Sequence, residues 1–159
     1  MEIKVIIGNI AKIKTGAIIV NFLEGEEHLD DEIATIDEAL DGAISQLISQ
    51  GEIKGKLDEI TIIHSLGKLP AARVVVAGLG KKEELSLDKV RGVVAEACRR
   101  LRQKSVDDIA TTAQGAGIAG ISVESAAQAV TEGALLGVYS FRRHITKEAE
   151  YGEIKQLVI

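Results

Sequence analysis

The chain has no tryptophan, and with two tyrosines and two phenylalanines its aromatics reach only 3% of 159 residues. A platform for stacking successive bases is hard to assemble from so few rings. Charge points the same way. The 24 acidic and 19 basic side chains leave a net charge of −5, where a phosphate-binding surface needs a basic excess. Both features argue against nucleic acid as a partner. Cys98 is the only cysteine, which excludes an internal disulfide and a zinc cage built from cysteines. No run approaches 18 consecutive apolar residues, so the sequence offers no membrane span. The start, Met1-Glu2-Ile3-Lys4-Val5, carries an acid and no long apolar stretch, unlike a secretory signal. A cytoplasmic setting is the expectation.

What remains is ordinary globular material, 46% hydrophobic and 27% charged. A chain of this length can bury roughly two-thirds of its unfolded surface. One domain over residues 1–159 is expected, with no internal repeat, low-complexity tract or linker.

Two periodicities organise the sequence. Glu2–Ile7, Ala17–Leu23, Glu59–His64, Arg73–Ala77, Val106–Thr112 and Glu153–Ile159 read as strands, several of them short, continuous and β-branched. Such runs suit strands covered on both faces. Helical stripes lie between them. Thr35 and Glu38 have capping-box spacing, and Leu40, Ile44, Leu47 and Ile48 follow on one face before Gly51. Ser86 caps a second helix, with Asp88 in its first turn and the stripe Leu87, Val90, Val93, Val94, Ala97, Cys98 and Leu101. A third helix is expected from about Val123 to Phe141, where Ala126, Ala129, Gly133 and Gly137 permit close backbone approach. Six of the nine residues Glu24–Glu32 are acidic, which predicts a solvated loop. The order β-β-α-β-β-α-β-α-β implies an α/β fold whose sheet is mixed, with helices on both faces.

Candidate chemistry is sparse. Gly115-Ala116-Gly117-Ile118-Ala119-Gly120 spells GxGxxG between a strand and a helix, so Gly115, Gly117 and Gly120 are candidate phosphate-cradling residues. The acidic partner that a dinucleotide fingerprint requires about 20 positions on is missing; that position falls near Phe141-Arg142-Arg143. Gly78-Leu79-Gly80-Lys81-Lys82 lacks P-loop spacing and reads as a strand exit. His28, Asp30 and Asp31 read as a solvated face rather than metal ligands, and Cys98 as a small core residue. No catalytic residue and no metal ligand is assigned.

Three stretches in register carry a resemblance. They are Ile36–Ile44 followed by Gly51–Lys56, then Ala71–Leu85, then Glu132–Phe141. Together they resemble the N-terminal domain of the leucyl (cytosol) aminopeptidases, over about residues 2–159. That resemblance implies a three-layer, macro-domain-like mixed sheet flanked by helices. It also implies a parent enzyme that removes N-terminal residues from peptides using two divalent metals, zinc or manganese, in a separate C-terminal catalytic domain. The family's homohexamers imply a role for this domain in intersubunit contact. The metal ligands, the catalytic lysine and arginine, and the Asn-Thr-Asp-Ala-Glu-Gly-Arg signature belong to that C-terminal domain. None is in this sequence, which stops where the connection to the catalytic domain is expected. Arg142, Arg143 and His144 depart from the family's usual helix ending. Two alternatives stand beside this reading. One is a macro-like module binding ADP-ribose at Gly115–Gly120; the other is DNA contact through the basic segments Arg99–Lys104 and Arg142–His144.

Overall fold

A computed structural model describes residues 1–139 and 152–159. Its six strands are β1 (Glu2–Lys4), β2 (Ala17–Phe22), β3 (Ile60–His64), β4 (Arg73–Gly78), β5 (Asp108–Thr111) and β6 (Gln156–Val158). They form one sheet in the order β1-β6-β5-β2-β4-β3. Every neighbouring pair is parallel except β3 with β4. The sheet is therefore mixed, and the antiparallel strand sits at an edge, where the short Gly67–Pro70 turn joins β3 to β4 without a crossover helix.

Alternation along the strands feeds two cores. Ala17 and Ile19 of β2, Val75 and Ala77 of β4, Ile109 and Leu157 face the helices α3 (Leu87–Gln103) and α4 (Val123–Val138). Ile18, Val20 and Phe22, Val74 and Val76, Ala110 and Val158 face α1 (Asp31–Ala39) and α2 (Ala43–Ser49). This is why the strands read as continuous apolar runs: both faces are covered. Helices, sheet and helices make the three layers expected.

The α3 stripe is as its spacing predicts. Val90, Val93, Val94, Ala97, Cys98 and Leu101 are buried, Leu87 packs against the same core, and the Ser86 hydroxyl accepts from the Lys89 amide at 3.3 Å. The small residues of α4 do what their size allows. A methyl on Gly133 would sit 2.5 Å from the Arg91 carbonyl oxygen, and one on Gly137 2.5 Å from that of Ala95. The glycines of α4 therefore press against the backbone of α3. Arg91 fixes the pair from the side, its Nε donating to Glu132 Oε2 and its Nη1 to Asp88 Oδ1.

The first helical region differs from expectation. The helix begins at Asp31 rather than near Thr35, because the Asp30 carboxylate accepts from the Ile33 amide at 2.8 Å and caps it there. Asp31 and Glu32, read as part of a loop, occupy the first turn, where the helix dipole favours acids. The Thr35 hydroxyl instead donates to the Asp31 carbonyl at 2.8 Å, inside the helix. The stripe Leu40, Ile44, Leu47 and Ile48 packs on one core as expected, but across two helices. Asp41 at φ 56° and Gly42 at φ 80° break the chain between them. Strands β1, β5 and β6 are shorter than their apolar runs. α4 ends at Val138 with the extended Tyr139 as its C-cap, short of the expected Phe141; Phe141, Arg142, Arg143 and His144 lie outside the described residues.

Candidate functional site

The helices following β2 and β5 pack on opposite faces of the sheet, so those adjacent strands form a topological switch point. Crevices in open α/β sheets form outside the carboxyl ends of such strands. Here a crevice of about 300 Å³ opens there. Phe22, Leu23, Leu29, Ile33 and Ile118 supply its apolar walls, and Glu26, His28 and Asp30 its polar rim.

A strap of the chain covers the neighbouring strand ends. The segment at Gly55–Lys56 crosses the ends of β2 and β4 in backbone contact. A methyl on Gly55 would lie 2.5 Å from the Leu23 carbonyl carbon, and one on Gly78 would lie 1.9 Å from the Lys56 carbonyl oxygen. The Gly80 amide donates to the Gly55 carbonyl at 2.9 Å, the Leu79 amide to Phe22 at 3.0 Å, and the Glu24 amide to Gly80 at 2.9 Å. Glu59 Oε1 holds the strap by accepting from the amides of Lys54 and Gly55. The Gly78 amide donates to the Glu59 carbonyl at 2.8 Å, so Gly78-Leu79-Gly80 is a strand exit whose three amides are engaged by the protein itself.

Gly115, Gly117 and Gly120 lie beside the crevice, preceding α4. Their φ values are 82°, 77° and 74°, so each occupies the left-handed region that favours glycine. Four amides of the segment close turns internally: Ala116 donates to Ala113, Gly117 to Ile121, Ile118 to Gly115 and Ile121 to Ile118. At the helix start the Ser122 hydroxyl accepts from the Ser125 amide at 3.1 Å. A methyl on Gly115 would meet Val90 Cγ2 at 3.2 Å and Leu85 Cδ2 at 3.3 Å, so this glycine also serves packing against α3.

Electrostatics at the crevice are acidic. The α1 N-terminus is occupied by its own Asp30, with Asp31 and Glu32 behind it. Glu32 is half-buried and accepts from the Thr112 hydroxyl at 3.5 Å, linking α1 to the segment after β5. Burial, and then repulsion from Asp30, hold its pKa above the usual carboxylate value, against a lowering by the Thr112 hydrogen bond. A second open groove, about 700 Å³, runs over α1 and α2 and is lined in part by Glu26, Glu27, Asp37 and Glu38.

The other sequence candidates are scattered. His64 ends β3 in an exposed position. Cys98 is fully buried, and burial pushes its thiol up to about 12, far from an activated thiolate. Arg99 and Arg100 are paired to Glu96, and Arg102 donates to the Val138 carbonyl at 3.1 Å. Among the described residues no three His, Cys, Asp or Glu side chains converge to hold a metal ion. Nor is any helix among them long and apolar enough to cross a membrane.

Spacing alone missed the contacts that hold the site together. They are the Gly55–Gly78 crossing and the buried Asp37 carboxylate, which accepts from the Ile44 and Ser45 amides. The only hint was that these residues sit inside the stretches carrying the family resemblance.

Comparison with known proteins gives one consistent outcome. Residues 19–148 match the family model described as the cytosol aminopeptidase family, N-terminal domain. A probable cytosol aminopeptidase of Alkaliphilus oremlandii is 35% identical over 153 residues, 96% of this chain and 30% of the relative. One from Geobacter sulfurreducens is 37% identical over 142 residues, 89% of this chain and 28% of the relative. The chain thus spans under a third of the length of these curated relatives. Among solved structures, a tomato leucine aminopeptidase mutant superposes with a TM-score of 0.79 at 19% identity, covering 99% of this chain and 32% of that one. The macrodomain of Mycobacterium tuberculosis DarG superposes with a TM-score of 0.72 at 11% identity, covering 98% of this chain and 95% of that one. These likenesses show a macro-like fold.

Proposed function

This chain belongs to the cytosol aminopeptidase family as its N-terminal domain, and from that premise we propose that it is a non-catalytic, structural or assembly domain. Residues 1–159 form one domain in this reading. The peptidase chemistry, with two zinc or manganese ions, resides in a separate C-terminal catalytic domain that is its natural partner. The assembled enzyme is a homohexamer that removes N-terminal residues from peptides. A cytoplasmic setting accords with the relatives' description as cytosol aminopeptidases.

The observation that carries the reading is the pattern of coverage: nearly the whole chain aligns, but to less than a third of each relative. Two-metal hydrolysis needs several convergent ligands, and none converge among the described residues. The direct test is to assay the chain on Leu-p-nitroanilide with added zinc or manganese. The expected result is no turnover above buffer. Activity that survives repurification overturns the proposal.

A second reading, ADP-ribose held at Gly115, Gly117 and Gly120, has the macro-like fold and the loop's place beside the switch-point crevice in its favour. Against it stand the loop's internally bonded amides and the acids at the α1 N-terminus, which repel a diphosphate. Calorimetry with ADP-ribose decides: the expected result is no heat at millimolar ligand, and saturable binding lost on Gly117→Val revives the nucleotide reading.

A further inference from the structure

Among the described residues, β1 and the segment just after it carry an exposed apolar stretch. Ile3, Val5, Ile6 and Ile7 are all exposed, Val5 at 78% and Ile7 fully. Isolated surface hydrophobics are normal, but four within five positions, one in β1 and three just after it, are an apolar concentration of the kind that marks an interaction surface. Ile3 pairs in register with Leu157, whose side chain lies in the core beneath α3 and α4. Ile3 therefore points to that same face, yet it does not join the core that Met1 and Ile159 reach.

The patch adjoins Ile159. The Ile159 amide donates to the Lys4 carbonyl at 2.9 Å, and the Ile6 amide donates to the Ile159 carbonyl at 3.0 Å. The curated relatives are more than three times as long as the part this chain matches, and the matched part is their N-terminal domain. A probable cytosol aminopeptidase of Persephonella marina matches all 159 residues over 32% of its own length, and in this chain position 159 lies against the backbone of Lys4 and Ile6.

Resting on the assembly role proposed above, the geometry points to the edge formed by Ile3, Val5, Ile6 and Ile7 as the surface on which an apolar face of the family's C-terminal catalytic region docks. Within β1, Glu2 and Lys4 lie on the side opposite Ile3 and form an ion pair 3.3 Å apart, so this edge carries charge beside the apolar stretch. Charges on an edge strand discourage pairing with a second copy of the same strand.

The test uses this chain, its Val5→Asp/Ile7→Asp double variant, and the separately produced C-terminal region of the Alkaliphilus oremlandii relative. Sedimentation and calorimetry read association. The wild-type chain is expected to be monomeric and to bind the C-terminal region, and the double variant to bind at least tenfold more weakly while keeping the wild-type circular dichroism and Tm. Equal binding by the two chains overturns this inference and leaves the assembly role standing. Failure of the wild-type chain to bind removes the assembly role itself, and the inference with it. A wild-type dimer that the double variant turns into a monomer gives the patch to a second copy and also overturns the inference.

Discussion

The carboxylate of Asp37, in the last turn of α1, accepts a hydrogen bond from the backbone amide of Ile44 at 2.7 Å and so caps the next helix from outside it. The same carboxylate accepts from the Ser45 amide at 3.1 Å and from the Ser45 hydroxyl. Gly42, which occupies the N-cap position of α2, has no side chain to do this. Asp37 is itself buried, at 7% exposure, and Ile44 is fully buried. Replacing Asp37 by Ala leaves a buried amide without a partner as well as an uncapped helix. The expected loss is about 2–3 kcal/mol, which lowers Tm by about 5–10 °C in a domain of this size. Thermal unfolding followed by circular dichroism checks it; a variant melting with the wild type would remove Asp37 from this role.

Three glycines to alanine form a graded series. Gly78→Ala places a methyl 1.9 Å from the Lys56 carbonyl oxygen, so the strap over β2 and β4 must lift, and no folded protein is expected. Gly133→Ala brings a methyl to 2.5 Å from the Arg91 carbonyl and forces α4 away from α3, for an expected loss of about 1–3 kcal/mol. Gly92 is exposed within α3, and a methyl there would meet nothing within 4 Å and no positive φ. Gly92→Ala is therefore expected to stabilise the chain by about 0.5–1 kcal/mol. Urea titration of the two folded variants ranks them, and soluble yield reports the first. A stable Gly78→Ala protein would mean the crossing is looser than these distances state.

The long-range pattern was legible where one periodicity ran uninterrupted. The α3 stripe from Leu87 to Leu101 and the β-branched runs of β2 and β4 have no competing local signal, and their element types follow directly. Boundaries failed where two signals overlapped. Thr35 and Glu38 have capping spacing, yet Asp30 lies upstream with a carboxylate that reaches the Ile33 amide, and the earlier cap wins because it adds a turn of α1. The break at Asp41–Gly42 was hidden because Leu40 and Ile44 keep the same inward face on either side of it. At the site, the glycines at 115, 117 and 120 spell a letter pattern that also describes successive tight turns, and only their hydrogen bonds tell the two apart. The acidic charge of the crevice could be read from Glu24–Glu32, but the link from Glu32 to Thr112 joins positions 80 residues apart, which no spacing argument reaches.

Glu32 gives a pH dependence of defined sign. Its pKa is raised in the folded chain by burial and by Asp30, more than the Thr112 hydrogen bond lowers it. A carboxyl with a raised folded pKa favours folding when protonated. Its contribution is fully present below the unfolded value of 4.5 and is lost as pH rises through the higher folded value. Glu32→Gln is neutral throughout and escapes that loss. Its stability relative to wild type is therefore expected to increase as pH rises from the unfolded value of 4.5 through the raised folded value, and then to level off. Paired urea titrations across that range provide the check, and a difference that stays flat or narrows with rising pH contradicts the assignment.

Cys98 reports opening of the α3–α4 layer. It is fully buried on the inward stripe of α3, and a methyl on Gly137 of α4 would come within 3.0 Å of its Cβ. Burial pushes its thiol up to about 12, against an opposing effect from Arg99, so almost no thiolate exists at neutral pH in the folded chain. Alkylation by iodoacetamide then requires the helices to separate first. The folded protein is expected to react at least ~10³-fold more slowly than the chain in urea, the ratio a marginally stable domain imposes on a buried group. Gly133→Ala, which forces α4 off α3, is expected to speed the reaction of the folded state, whereas Gly92→Ala on the solvent side is expected to slow it or leave it unchanged. If Cys98 in the native protein reacts at the rate of the unfolded chain, the seal between α3 and α4 does not exist in solution.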